Sequence, residues 1–221
     1  MPGVYRDRVE AGRLLGALLA ARPSQVDPIV LGLPRGGVPV AREVARALAA
    51  PLDVLVVRKL GAPGNPEYAV GAIGPDGARV VDDGALRALR VSDDALAQIE
   101  RRELAELERR EARYRAGRPP LDLTGRTAVI VDDGIATGAT ATVAWRGARA
   151  LGAARVVVAA PVAPAGWRAE ALLASDGPDE VVLLEEPRDF WAVGQWYRDF
   201  RQTEDAEVLA ALAEADAERE T

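Results

Sequence analysis

The chain has 221 residues, of which 49% are apolar and 28% charged, and a formal net charge of −6. This is the balance of one well-buried globular domain, and its acidity argues against a general nucleic-acid or membrane surface. With no cysteine and no histidine, disulfides, thiolate nucleophiles, Cys/His metal sites and Ser-His-Asp arrangements are excluded, leaving acid–base work to carboxylates, lysine, tyrosine or the substrate.

Residues 6–21 read as an amphipathic helix with Val9, Leu14, Leu15, Leu18 and Leu19 toward one side. A short apolar strand is expected at 29–33, after which PRGG interrupts regular structure. A helical pattern resumes at 38–49, followed by a second buried strand at 53–57. Strand, loop, helix and strand form the unit that builds parallel sheets. Residues 60–80 are rich in Gly and Pro, and 68–73 with 78–81 suit a hairpin around the PDG turn. Ser92 is a good helix N-cap, with Asp93 and Asp94 suited to a positive first turn. The run to Tyr114 alternates acids and arginines around Leu96, Ile99, Leu104 and Leu107. It reads as a solvated helix with one apolar stripe, a cover or oligomer contact rather than a nucleic-acid arm.

Further strands are expected at 127–131, 156–160 and 181–184, with helices at about 137–150 and 167–174 and a last helix after Glu204. Continuous apolar strands alternating with helices indicate an α/β fold whose parallel sheet is covered on both faces. The expected organisation is a single domain over 1–221, with an excursion of loop, hairpin and long helix at 60–118. The N-terminal arginines and acids do not form a secretory leader, and no apolar run approaches bilayer-spanning length. A cytoplasmic protein is the expectation.

Three segments carry chemistry. In AVIVDDGIATGAT (128–140) a buried strand runs into two acids, then a loop of small residues, then a helix. Acids at the carboxyl end of a parallel strand lie where open α/β sheets bind ligands. Small residues let backbone N–H groups approach a phosphate, the helix N-terminus favours an anion, and Thr137 and Thr140 add hydroxyl donors. Asp132 and Asp133 suit the vicinal hydroxyls of a ribose. VVDDG (80–84) has the same acid pair without the small-residue loop, and reads as a turn with a helix cap. LGLPRGGVPVA (31–41) offers paired glycines, which allow unusual torsions and expose amides, beside the planar cation of Arg35. VVRKLG (56–61) puts Arg58 and Lys59, the only lysine among 28 basic residues, at a strand end.

Apolar residues, two acids and a small-residue loop in this order closely resemble the signature of type I phosphoribosyltransferases. The order of elements is similar to bacterial members of that family whose acceptor is unassigned. The resemblance implies that Asp132 and Asp133 grip the ribose of phosphoribosyl pyrophosphate (PRPP) and that Ala136, Thr137, Gly138, Ala139 and Thr140 hold its 5′-phosphate. Arg35, Gly36 and Gly37 would hold the pyrophosphate in a loop that often has a non-proline cis peptide. Arg58 and Lys59 would open the mobile catalytic loop, and 184–203 would form a hood. For the acceptor base, Leu184 stands where an aromatic is expected, with Trp191, Trp196 and Tyr197 as substitutes unless they are core or dimer packing. Ala136 replaces the loop acid of hypoxanthine-guanine enzymes, and 156–166 lacks the lysine that 6-oxopurine enzymes use.

The implied reaction moves the 5-phosphoribosyl group from PRPP to a nitrogen nucleophile, a nucleobase or related heterocycle, and releases pyrophosphate. Mg²⁺ would be held mainly by substrate oxygens and water rather than by a protein cage, and a homodimer is expected. The alternative is a PRPP-binding regulator with little or no transfer. A dinucleotide oxidoreductase would need a different glycine spacing. A scaffold working through the 92–115 helix would not be stabilised by PRPP.

Overall fold

The computed structural model describes residues 5–22 and 26–219. Helix α1 (Arg8–Ala20) precedes strand β1 (Pro28–Gly32), helix α2 (Gly37–Leu48) and strand β2 (Leu52–Val54). The excursion comprises β3 (Arg58–Ala62), β4 (Asn65–Ile73), β5 (Arg79–Val81), α3 (Asp83–Ala88) and α4 (Asp93–Tyr114). The chain then runs through β6 (Thr127–Val131), α5 (Ala139–Ala150) and β7 (Arg155–Val162). It finishes with α6 (Trp167–Leu173), β8 (Glu180–Glu185) and α7 (Asp205–Arg219).

Five strands form a parallel sheet in the order β2-β1-β6-β7-β8. Alternate residues along each strand feed opposite faces, which is why the strands are apolar throughout. Val30, Val129, Val157 and Val182 join the core beneath α1, α2 and α7. Leu31, Ile130, Val158 and Leu183 join Trp145 of α5 and Trp167 of α6 on the other side. Each strand ends in a loop on the same edge of the sheet, so the motifs at 34–37, 132–138 and 58–59 start from one rim.

The excursion is more regular than its glycines and prolines suggest. The predicted hairpin forms, with Ala72 opposite Val80, but β3 adds a third antiparallel strand, Arg58 opposite Ile73 and Lys59 opposite Ala72. Residues 58–62 are thus a strand and not a loop. Asp82 accepts a hydrogen bond from Ala85 N–H at 2.9 Å and caps α3, the role expected for VVDDG. Ser92 caps α4 in the same way.

The excursion is fastened where it returns. Buried Asp53 on β2 receives both Arg115 Nε and a terminal Arg115 nitrogen at 3.1 Å, with Arg118 at 3.7 Å. Asp53→Asn would leave two enclosed guanidinium groups facing a neutral amide. It is expected to cost about 1–3 kcal/mol of stability, read as a lower urea midpoint with an unchanged slope.

Candidate functional site

Strands β1 and β6 are in register through Gly32 and Val131, so their loops leave the sheet side by side. Leu33 N–H donates to Val131 O at 2.9 Å, which continues the pairing past the strand ends. The Pro34–Arg35 peptide is cis. The glycines after it serve a purpose other than torsional freedom: Gly36 has ordinary helical angles, φ −61 and ψ −34. What they supply is room. A Cβ on Gly37 would lie 2.6 Å from Val131 O and 2.9 Å from Asp132 Cα, and one on Gly36 would lie 2.1 Å from Asp133 Oδ2. The PRGG loop therefore presses directly on the acid pair.

Asp132 and Asp133 are held at the start of the β6 loop. Asp133 N–H donates to Asp132 Oδ1 at 2.9 Å, and Tyr197 Oη donates to Asp133 O at 2.5 Å. Arg8, from the first turn of α1, contacts Asp133 Oδ2 through Nε and a terminal nitrogen, each at 2.8 Å. Enclosure by protein pushes the Asp132 carboxyl well up from its usual range, and the neighbouring Asp133 adds to this. Burial also raises Asp133, opposed by the charge and hydrogen bonds of Arg8. Two crowded carboxyls with one bidentate cation make a site that accepts hydroxyl hydrogens and favours positive charge.

The small-residue loop comes next. Ile135 is buried and its N–H bonds Val162 O at 2.8 Å, which pins the loop to the end of β7. Gly138 has φ +79 and leads into α5 without a side-chain cap, so the first-turn amides have no capping side chain. Helix α5 begins at Ala139, two residues beyond the expected Thr137, which lengthens the loop. Ala136 and Thr137 are exposed, while Ala139 and Thr140 are half-buried at the helix start. The floor is Trp167, whose Nε1 lies 2.1 Å from where a Gly138 Cβ would stand. An uncapped helix N-terminus next to two carboxyls presents an anion site beside a hydroxyl site.

A family model described as the phosphoribosyl transferase domain matches residues 11–201. The chain belongs to this family. The crystal structure of TT1426 from Thermus thermophilus is similar over 95% of this chain and 98% of that one, at 47% identity and a TM-score of 0.77. Provisionally named phosphoribosyl transferases from two strains of Mycobacterium tuberculosis are 54% identical over 212 residues, 96% of this chain. The match covers 47% of their length, so the chain spans about half of the curated relatives it matches.

Arg35 is 3.7 Å from both Glu204 and Asp205 at the start of α7. Asp205 also accepts from Tyr114 Oη at 2.5 Å and pairs with Arg113 at 2.6 Å, so the end of α4 is tied to this corner. Nε and a terminal nitrogen of Arg58 reach buried Glu103 of α4 at 3.0 and 2.6 Å. The pairing turns Arg58 toward α4. Lys59, next along β3, is exposed. Leu184 is half-buried against the core, whereas Trp191 is 90% exposed. Trp196 and Tyr197 are buried in packing with Tyr5.

Two site residues carry no mark in the sequence. Arg8 is 125 positions from its partner, and no local pattern sets it apart from the other arginines. Trp167 reads only as the start of a helix, whereas Tyr197 is already among the aromatics considered for the acceptor.

Proposed function

We propose that this chain transfers the 5-phosphoribosyl group of PRPP to a nitrogen nucleophile of a nucleobase-like heterocycle. The observation that carries the proposal is the acid pair Asp132–Asp133 opening into a small-residue loop that ends on the uncapped N-terminus of α5. In this reading the amides of Ala136, Thr137, Gly138, Ala139 and Thr140, with the two threonine hydroxyls, bind the 5′-phosphate. Asp132 and Asp133 hold the vicinal hydroxyls and favour the positive charge that develops on the ring.

The bond from the anomeric carbon to the pyrophosphate oxygen breaks, its electron pair leaving with pyrophosphate. The acceptor nitrogen forms the new bond with inversion and loses its proton to solvent. Positioning and electrostatics dominate such a step. Arg35, Gly36 and Gly37 receive the leaving group, with Lys59 and Arg58 of β3 joining them once Arg58 exchanges Glu103 for pyrophosphate. Leu184 and Trp191 border the acceptor. Among the described residues no three acidic side chains converge; the donor set fits Mg²⁺ held mainly by PRPP oxygens and water, where it would neutralise pyrophosphate charge.

Mg-PRPP at about 100 times its Kd should stabilise the fold by about 2.7 kcal/mol, a rise of roughly 5–10 °C in Tm at this chain length. No shift with Mg-PRPP would refute the sugar-phosphate site. The Arg58–Glu103 ion pair favours a second reading, a PRPP-binding regulator, because it occupies a cation that transfer requires. Pyrophosphate release measured with a panel of bases separates the two. Binding without release from any base selects the regulator.

A further inference from the structure

Arg8 reaches the acid loop from the far end of the sequence, and it is held on several sides. Its Cζ lies 4.0 Å from the Phe200 ring centroid and 6.0 Å from that of Tyr197. A terminal nitrogen donates to Arg201 O at 2.7 Å. Nε and the other terminal nitrogen converge on a single oxygen, Asp133 Oδ2, while the Gly36 backbone closes the same space. The Arg8 and Asp133 side chains are only 12% and 14% exposed. Phe200 in turn packs on Gly194 and stacks on Tyr197, whose hydroxyl holds the Asp133 carbonyl. One guanidinium therefore joins α1, the acid loop and the segment after β8.

Resting on the sugar-site reading above, we propose that Arg8 is a positioning residue: clamped between Phe200 and Asp133, it sets which carboxylate oxygen is offered to the donor's ribose. A planar guanidinium suits this task, since two of its N–H groups converge on Oδ2 and fix that oxygen, while the bond to Arg201 O and the Phe200 ring hold the guanidinium itself in place. Arg8 engages Oδ2, so Oδ1 lies outside the ion pair. Besides Arg8, the groups facing Asp133 are Asp132 beside it and Tyr197 above it, while Glu207 of α7 lies within range of the Arg8 charge. Removing Arg8 takes away the cation that opposes burial, and burial favours the neutral form of the Asp133 carboxyl.

The test is Mg-PRPP affinity by calorimetry from pH 5 to 8 for the intact chain, Arg8→Gln, Arg8→Lys and Phe200→Leu. Arg8→Gln should bind about tenfold more weakly at pH 7, and its acid limb should move to higher pH. Arg8→Lys should keep the wild-type limb and lose about threefold in affinity, because the charge stays and the fork is gone. Phe200→Leu should show a smaller loss in the same direction. Wild-type affinity and an unmoved limb in Arg8→Gln would overturn the role while leaving the sugar site intact. If the parent chain itself does not bind Mg-PRPP, the sugar-site reading fails and this proposal falls with it. Should Arg8→Gln not fold, wild-type affinity in both Arg8→Lys and Phe200→Leu assigns Arg8 to the scaffold and overturns the proposal.

Discussion

Asp133→Asn should lower turnover at least ~10²-fold, the size of effect produced by removing one preorganised electrostatic contact to a developing charge. The substitution conserves shape, so the contact with Gly36 and the hydrogen bond from Tyr197 to the Asp133 backbone carbonyl both survive. What is lost, on the proposed reading, is the negative charge beside the anomeric carbon and the capacity of both oxygens to accept. The loss should fall mainly on kcat, because ribose hydroxyls can still bond a neutral amide in the ground state whereas the cationic ring needs the charge. The measurement is the initial rate of pyrophosphate release, with PRPP affinity determined in parallel. A variant that turns over like the parent would remove Asp133 from the chemistry. A variant that lost affinity while kcat held would reassign the acid to binding alone.

The second large effect is expected from Gly138→Ala. Gly138 carries φ +79, a region that disfavours a side chain by about 1–2 kcal/mol. Its new methyl would also meet Trp167 Nε1 at 2.1 Å and Cε2 at 2.9 Å. Trp167 is buried, so the indole has no open side to swing toward. The loop must then move, carrying the first amides of α5 away from the place proposed for the 5′-phosphate. A displacement of about an ångström at a positioning group costs on the order of 10²-fold in rate. Tm should fall as well. Pairing the change with Trp167→Leu removes the clash but not the unfavourable torsion, so the double variant should regain part of both losses. Parent-like PRPP affinity and Tm in Gly138→Ala would show that this loop does not hold the phosphate.

Much of the architecture is readable from local pattern because burial on both faces of the sheet forces unbroken apolar runs at β1, β6, β7 and β8. The acid pair of β6 is separable from that of β5 by the residues on its C-terminal side. One pair runs into Gly, Ala and Thr, the other into a capped helix. Residues 58–62 are harder. RKLGA has two charges and a glycine, shows no clean alternation, and becomes a strand only through pairing with β4, which includes register shifts at Gly61. The PRGG glycines stand out in the sequence for torsional freedom, yet their role is proximity, and proximity depends on a loop almost 100 residues away. Arg8 illustrates the general limit. Periodicity assigns residues to elements, but ion pairs across the fold depend on how those elements stack.

The Asp53 clamp has a consequence for how the excursion can vary. The chain leaves the sheet just after β2 and is tied back to that same strand at Arg115 and Arg118. Its two ends are therefore closed by an ion cluster, whatever lies between them. Closing a loop costs only about 0.6 kcal/mol more for each doubling of its length. Residues can thus be added to or removed from the exposed turns of this segment with little effect on the sheet, provided Asp53 and its two arginines are retained. The part of the molecule most open to change in length is separated by that knot from the acid pair and small-residue loop that follow β6.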